Sequence, residues 1–111
     1  MDTELIERII KFRDERNWEQ FHNPKDLAIS ISLEAAELLE IFQWSGTDLY
    51  RTDNIESMKD ELADVMIYSV LLSAKLGLDI TSIIEKKLQK NEEKYVKEKA
   101  YGSSKKYTEL R

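Results

Sequence analysis

Two acidic pairs sit inside the most apolar stretches of the 111-residue chain: Glu34-Ala35-Ala36-Glu37 and Glu61-Leu62-Ala63-Asp64. Residues three apart share a helix face, so each pair aims two carboxylates the same way. Carboxylates among leucines and isoleucines are costly unless they are paired or hold a metal. Basic partners are scarce: none lies between Lys25 and Arg51, and Lys59 alone is close to the second pair. If the two helices are antiparallel neighbours, four carboxylates converge. Their repulsion raises their pKa values in the absence of a cation. Oxygen-only ligands of high charge favour Mg²⁺, with Mn²⁺ as a substitute. The plain alternative is surface decoration, because acid-x-x-acid spacing is common on charged helices. Glu40, Glu56 and Asp60 read as exposed face or outer support of the same site. A di-iron carboxylate bundle is a further alternative, because Glu19-Gln20-Phe21-His22 has Glu-x-x-His spacing. That site needs two such motifs, and His22 is the only histidine.

Aromatic residues recur at a related spacing. Trp44 follows Glu37 by seven residues and Tyr68 follows Glu61 by seven. Seven residues return to nearly the same helix face about 10 Å along the axis. Each helix would then carry carboxylates at one level and a ring two turns away, roughly the span from a nucleotide's phosphates to its base. Aromatic rings stack on bases. Asn91 follows Ile84 by seven residues and is expected to face inward, where its amide could read a base edge. The alternative is that Trp18, Trp44 and Tyr68 are ordinary core.

The elements that must position these groups are helical. Leu5, Ile6, Ile9, Phe12 and Arg13 follow helical spacing and predict a first helix from Thr3 to Asn17, capped by Asp2 or Thr3. Asn23-Pro24 reads as cap and first residue of a second helix, which continues to a stop at Gly46. Asp53 or Asn54 caps a third, running to Leu76 and stopping at Gly77. Asp79 or Thr81 opens a fourth, with Ile80, Ile83, Ile84, Leu88 and Tyr95 on one side. Residues 100–111 have no clear periodicity and read as a tail, either mobile or closing over a site. Four helices with short connections imply one helical bundle spanning residues 1–111. The second and third helices are apolar around much of their circumference, which calls for burial on all sides. A chain this short has too little interior for both, so the core is expected to be completed by self-association.

Composition agrees. The chain has no cysteine, three glycines, one proline and 35% charged residues. That excludes disulfide scaffolds, thiolate metal sites and cysteine nucleophiles, fits a reducing cytoplasmic setting and favours helices. The longest charge-free stretch is Val65–Ala74, well short of the roughly 20 apolar residues of a membrane span. The acidic, amphipathic N-terminus does not read as a signal peptide. Net charge is −5, but residues 1–85 carry 8 basic against 18 acidic groups, and residues 86–111 carry 9 against 4. An acidic protein is poorly suited to wrapping a nucleic-acid duplex. An acidic region followed by a basic one suits a small polyanion carried with a divalent metal. Lys87, Lys90 and Lys94, and then Lys105 and Lys106, are candidate phosphate contacts, with a solvated basic stripe as the alternative.

The stretches FRDERNWEQFHNP (Phe12–Pro24), LEAAELLEIFQW (Leu33–Trp44), DELADVMIY (Asp60–Tyr68), KNEEKY (Lys90–Tyr95) and KKYTEL (Lys105–Leu110) follow one another in a familiar order. Together they resemble the MazG-like, all-α nucleotide pyrophosphohydrolase superfamily, most closely its dCTP pyrophosphatase branch. The resemblance implies Mg²⁺ held by Glu34, Glu37, Glu61 and Asp64, with Glu34 or Glu37 as the base. It implies hydrolysis of a deoxynucleoside triphosphate, with a lean to dCTP, to the monophosphate and pyrophosphate. It also implies that Trp18, His22, Trp44, Tyr68 and Asn91 line the nucleoside pocket, and that the protein is a homotetramer, a dimer of dimers whose sites use more than one subunit. One departure is Ala35-Ala36, where a glycine is expected. It touches helix packing and leaves the ligands intact. The rivals are a same-fold hydrolase acting on dUTP or a phosphoribosyl nucleotide, and a non-catalytic helical oligomerisation module.

Overall fold

A computed structural model describes residues 1–109, and these contain helices and no strand. The helices are α1 (Thr3–Glu15), α2 (Pro24–Glu40), α3 (Ile55–Lys75), α4 (Ile80–Lys94) and the single turn α5 (Lys97–Ala100). Short 3-10 turns occur at Glu19–Phe21, Thr52–Asn54 and Tyr107–Glu109. The all-α expectation holds, and α5 is the one helix it did not include. No single helix among the described residues is long and apolar enough to cross a membrane. Residues 110 and 111, the end of the predicted tail, lie outside the described residues.

The starts follow local chemistry. Asp2 accepts from the Glu4 amide at 2.9 Å, Asn23 from the Asp26 amide at 2.8 Å, and Asp79 from the Thr81 amide at 3.0 Å. Each satisfies an amide that its helix leaves unpaired. Pro24 occupies the first turn of α2, where its missing N–H costs nothing.

Two of the stops are the same motif. At the end of α3, Gly77 is left-handed, its amide bonds the Ala74 carbonyl, and the Leu78 amide bonds that of Ser73. At the end of α1, Asn17 takes the left-handed position, and the Asn17 and Trp18 amides bond the Asp14 and Arg13 carbonyls. Asparagine tolerates this conformation better than most side chains. The predicted run to Asn17 is therefore corrected to an end at Glu15, with Asn17 as the residue that turns the chain.

The end of α2 needs a larger correction. It stops at Glu40 and not at Gly46. Beyond it the amides of Phe42, Gln43 and Ser45 bond carbonyls three residues back, and Trp44 is left-handed at φ 68°. The tighter three-residue bonding ends the 3.6-residue period. The seven-residue interval from Glu37 to Trp44 therefore does not run along one helix. In α4 the helix ends at Lys94, and Tyr95 is its C-terminal cap.

The contacts divide the chain into two compact units, Met1–Leu78 and Asp79–Arg111. In the first, α3 packs chiefly on α2 and also on α1. Leu27, Val70 and Leu71 form its buried apolar centre, with Leu27 only 1% exposed. Burying each such side chain contributes about 1.5–3 kcal/mol. Much of the remaining apolar surface stays open within one chain: Ile29, Leu33 and Leu39 on α2, and Leu62, Met66 and Ile67 on α3. In the second unit Ile80 is buried, whereas Ile83, Ile84 and Leu88 are exposed.

Candidate metal centre and nucleotide cavity

The packing of α2 on α3 brings three of the predicted ligands together. One carboxylate oxygen each of Glu34, Glu61 and Asp64 lies within 4.8 Å of the others. Glu37, one turn beyond Glu34, is close enough to share a side-chain hydrogen bond with both Glu34 and Glu61. Three of the four predicted ligands thus lie together, and Glu37 interacts with two of them.

Their electrostatics are those of acids in want of a cation. A hydrogen bond shared with Glu37, then burial and the bond to Glu34, push the Glu61 carboxyl up to about 7. Burial, and then the hydrogen bond shared with Glu37, raise Glu34 above its ordinary range, with the charges of Glu37 and Asp64 adding to the effect. One oxygen of Glu34 and one of Glu61 are buried with no hydrogen-bond partner. Orphaned carboxylate oxygens in an all-oxygen, highly acidic set fit a hard divalent cation, and Mg²⁺ or Mn²⁺ meets that description.

The sign of the pH dependence follows. A carboxyl whose folded pKa is raised contributes stability that is complete below its unfolded value and lost as pH rises through its folded value, here between about 4.5 and about 7 for Glu61. A metal must displace the retained proton. The rise in melting temperature on adding millimolar Mg²⁺ is therefore expected to be small at pH 5.5 and to reach several degrees at pH 8. A rise that does not change with pH would separate metal binding from these acids.

Beside the cluster lies a cavity of about 410 Å³, and Asp64 forms part of its wall. Three of the predicted nucleoside contacts line it: Trp18, His22 and Tyr68. Tyr68 sits two turns after Glu61 in α3, so on this helix the carboxylate level and the aromatic level occur as expected, about 10 Å apart by helical rise. Trp18 is delivered by the Asn17 turn and packs edge-on against Phe12, with ring centroids 5.7 Å apart at 80°. The Arg16 guanidinium covers the Phe12 ring at 3.7 Å. His22 Nδ1 is buried without a partner. Burial, and then the charges of Arg13 and Lys75, hold His22 below its usual 6.5, so the ring is neutral at pH 7.

The remaining predicted contacts are not among the residues that line this cavity. Trp44 lies in the turn after α2, does not line this cavity and is 90% exposed within one chain, which removes the core alternative for it there. Asn91, half-buried on α4, belongs to the second unit, as do the exposed Lys87, Lys90, Lys94, Lys105 and Lys106. Sequence reasoning missed Arg8 and Arg13 as cavity residues. The signal was present in α1, where arginines interrupt an apolar stripe of Leu5, Ile9 and Phe12 that lines the same cavity.

The helices thus gather carboxylates that could hold a metal ion beside a cavity with aromatic walls. Comparison with known proteins makes the assignment specific: residues 29–110 match the MazG-like family, and the chain belongs to it. Curated relatives include dCTP pyrophosphatase 1 from Homo sapiens, 37% identical over 105 residues, and from Rattus norvegicus, 35% identical over 105 residues. The alignment covers 90% of this chain and 62% of each of those proteins. Among solved structures, a pyrophosphatase from Archaeoglobus fulgidus has a TM-score of 0.71 and 39% identity, covering 84% of this chain and 90% of that one.

Proposed function

We propose that the protein is a Mg²⁺-dependent nucleoside triphosphate pyrophosphohydrolase, with dCTP as the leading substrate, acting on the cytoplasmic nucleotide pool. The observation that carries this reading is the convergence of Glu34, Glu37, Glu61 and Asp64 beside the cavity walled by Trp18, His22 and Tyr68. The dCTP lean rests on relatives named dCTP pyrophosphatase 1, of which the chain spans 62%.

The four carboxylates would hold the divalent ion, which when bound neutralises triphosphate charge and acidifies a water. An oxygen of Glu34 or Glu37 would serve as the base that accepts a proton from the attacking water. Trp18 and Tyr68 offer the base aromatic faces, and neutral His22 offers one donor and one acceptor to its edge. Trp44 and Asn91 are retained as nucleoside contacts, and the lysines at 87, 90, 94, 105 and 106 as phosphate contacts. Residues 1–111 are read as one functional domain.

The open apolar faces of α2 and α3 support an oligomer, and the resemblance favours a homotetramer. Light scattering coupled to gel filtration is expected to give the tetramer mass at micromolar concentration. A compact, active monomer would refute the need for a shared core.

The activity is tested by a panel of deoxynucleoside and nucleoside triphosphates, dUTP included, with pyrophosphate detection and parallel reactions in chelator. Pyrophosphate release that needs Mg²⁺ and is fastest with dCTP is expected. No release from any nucleotide would overturn the proposal and favour a non-catalytic oligomerisation module.

A further inference from the structure

Arg13 is not accounted for by folding or by the carboxylate site. It lies in the last turn of α1, is 8% exposed and forms part of the cavity wall. Its Nε and Nη2 reach the same oxygen of Asp14, at 2.9 and 2.8 Å. These two atoms form one edge of the guanidinium. The other edge, a fork of one Nη1–H and one Nη2–H, bonds no acceptor among the described residues. The side chain of Asp14 is 53% exposed, so its carboxylate is well hydrated and only partly offsets the cost of burying Arg13. The backbone of Arg13 belongs to the turn that carries Trp18, because its carbonyl accepts from the Trp18 amide at 3.1 Å.

The other polar groups on the cavity are Arg8, Trp18, His22, Asp64 and Tyr68. Asp64 belongs to the carboxylate cluster. Arg13 is a side chain of the cavity wall, and its fork of two parallel donors is not used by the protein among the described residues. Such a fork matches two acceptors that lie side by side.

We propose that Arg13 reads the nucleobase by donating in parallel to two adjacent acceptors, O2 and N3 of cytosine or O6 and N7 of guanine. Uracil and thymine separate their two oxygens by the N3–H donor. Adenine places its amino group beside both N1 and N7. None of those three offers the fork a matching pair. The assignment rests on the nucleotide reading above and deepens it, since it names the hydrogen-bonding pattern the site selects.

The test is equilibrium titration of the intact protein, followed by tryptophan fluorescence, with dCMP, dGMP, dUMP, dTMP and dAMP. A bidentate arginine discriminates between bases by about 5–150-fold. Wild type is expected to bind dCMP or dGMP at least about fivefold tighter than the other three. Arg13→Met is expected to abolish that preference, lowering the affinity for dCMP or dGMP several-fold more than that for dUMP. Two ligand analogues need no variant. The pyrimidin-2-one deoxynucleotide keeps O2 and N3 but lacks the amino group, and is expected to bind like dCMP. The 7-deaza analogue of dGMP lacks N7 and is expected to bind more weakly than dGMP. These arms also separate cytosine from guanine as the base read. Equal binding of all five nucleotides by wild type, a preference that survives in Arg13→Met, or an equal loss for all five in that variant would each overturn the proposal. A protein that hydrolyses no triphosphate yet shows the preference contradicts the activity and not Arg13's role. Hydrolysis without the preference contradicts Arg13's role alone.

Discussion

Glu61→Gln is expected to abolish Mg²⁺-dependent turnover while stabilising the metal-free protein at neutral pH. Glu61 is the carboxyl pushed furthest, to about 7, by its hydrogen bonds with Glu37 and Glu34 and by burial. Glutamine keeps the shape and can donate to either neighbour. It also removes one charge from a group in which oxygens of Glu34, Glu61 and Asp64 come within 4.8 Å. Relief of repulsion should be greatest above pH 7, where Glu61 is ionised in the wild type, and should vanish near pH 4.5, where it retains its proton. Activity should respond in the opposite direction. Changes in groups that merely support a metal's ligands cost about 10–100-fold in metal affinity or activity, so loss of a ligand should cost at least about 100-fold. Asp64→Asn and Glu37→Gln are expected to lose turnover as well. Glu40→Gln, at the exposed last residue of α2, should retain most activity. Steady-state rates across a Mg²⁺ titration, with melts in chelator, measure both effects. A Glu61→Gln protein that turns over normally would remove Glu61 from the metal site.

The second large effect is expected at Trp18. Its ring closes one wall of the cavity and is braced by Phe12 at 5.7 Å. Trp18→Ala should weaken nucleotide binding by about 1–3 kcal/mol, the usual worth of one base–aromatic stack, and should leave the products unchanged. Titration of dCTP with Ca²⁺ replacing Mg²⁺ would give the affinity without relying on turnover. Unchanged affinity would return Trp18 to a packing role against Phe12. Trp44→Ala is the informative comparison. Trp44 is 90% exposed in one chain and outside this cavity's lining, so an equal loss there would place its ring against the nucleotide in the assembled oligomer. No loss would make it a surface residue.

Much of this arrangement was legible in the sequence because it rests on local rules. Asn23-Pro24, Asp79 and Gly77 act through their own side chains or backbone, so the start of α2, the start of α4 and the end of α3 were readable without tertiary information. The acidic pairs were readable because three-residue spacing on neighbouring apolar helices leaves few places for charge to go. The end of α2 was not. Nothing in Ile41-Phe42-Gln43-Trp44 forbids a helix, yet the amides there bond three residues back and Trp44 turns left-handed. Extrapolating the helical period past Glu40 therefore put Trp44 on the wrong element. Arg13 was hidden for another reason. It keeps helical spacing with Leu5, Ile9 and Phe12 and so passed as part of an interior stripe. Its unused donors show only once the Asp14 contacts and the cavity wall are seen together.

The bond broken in the nucleotide tests the central claim most directly. If the carboxylates hold a metal and the cavity takes the base, water is directed to the triphosphate and pyrophosphate leaves intact. Phosphorus NMR of dCTP incubated with the protein and Mg²⁺ is expected to show dCMP and pyrophosphate rising together, with no dCDP at any time. Orthophosphate accompanied by dCDP would contradict a pyrophosphohydrolase.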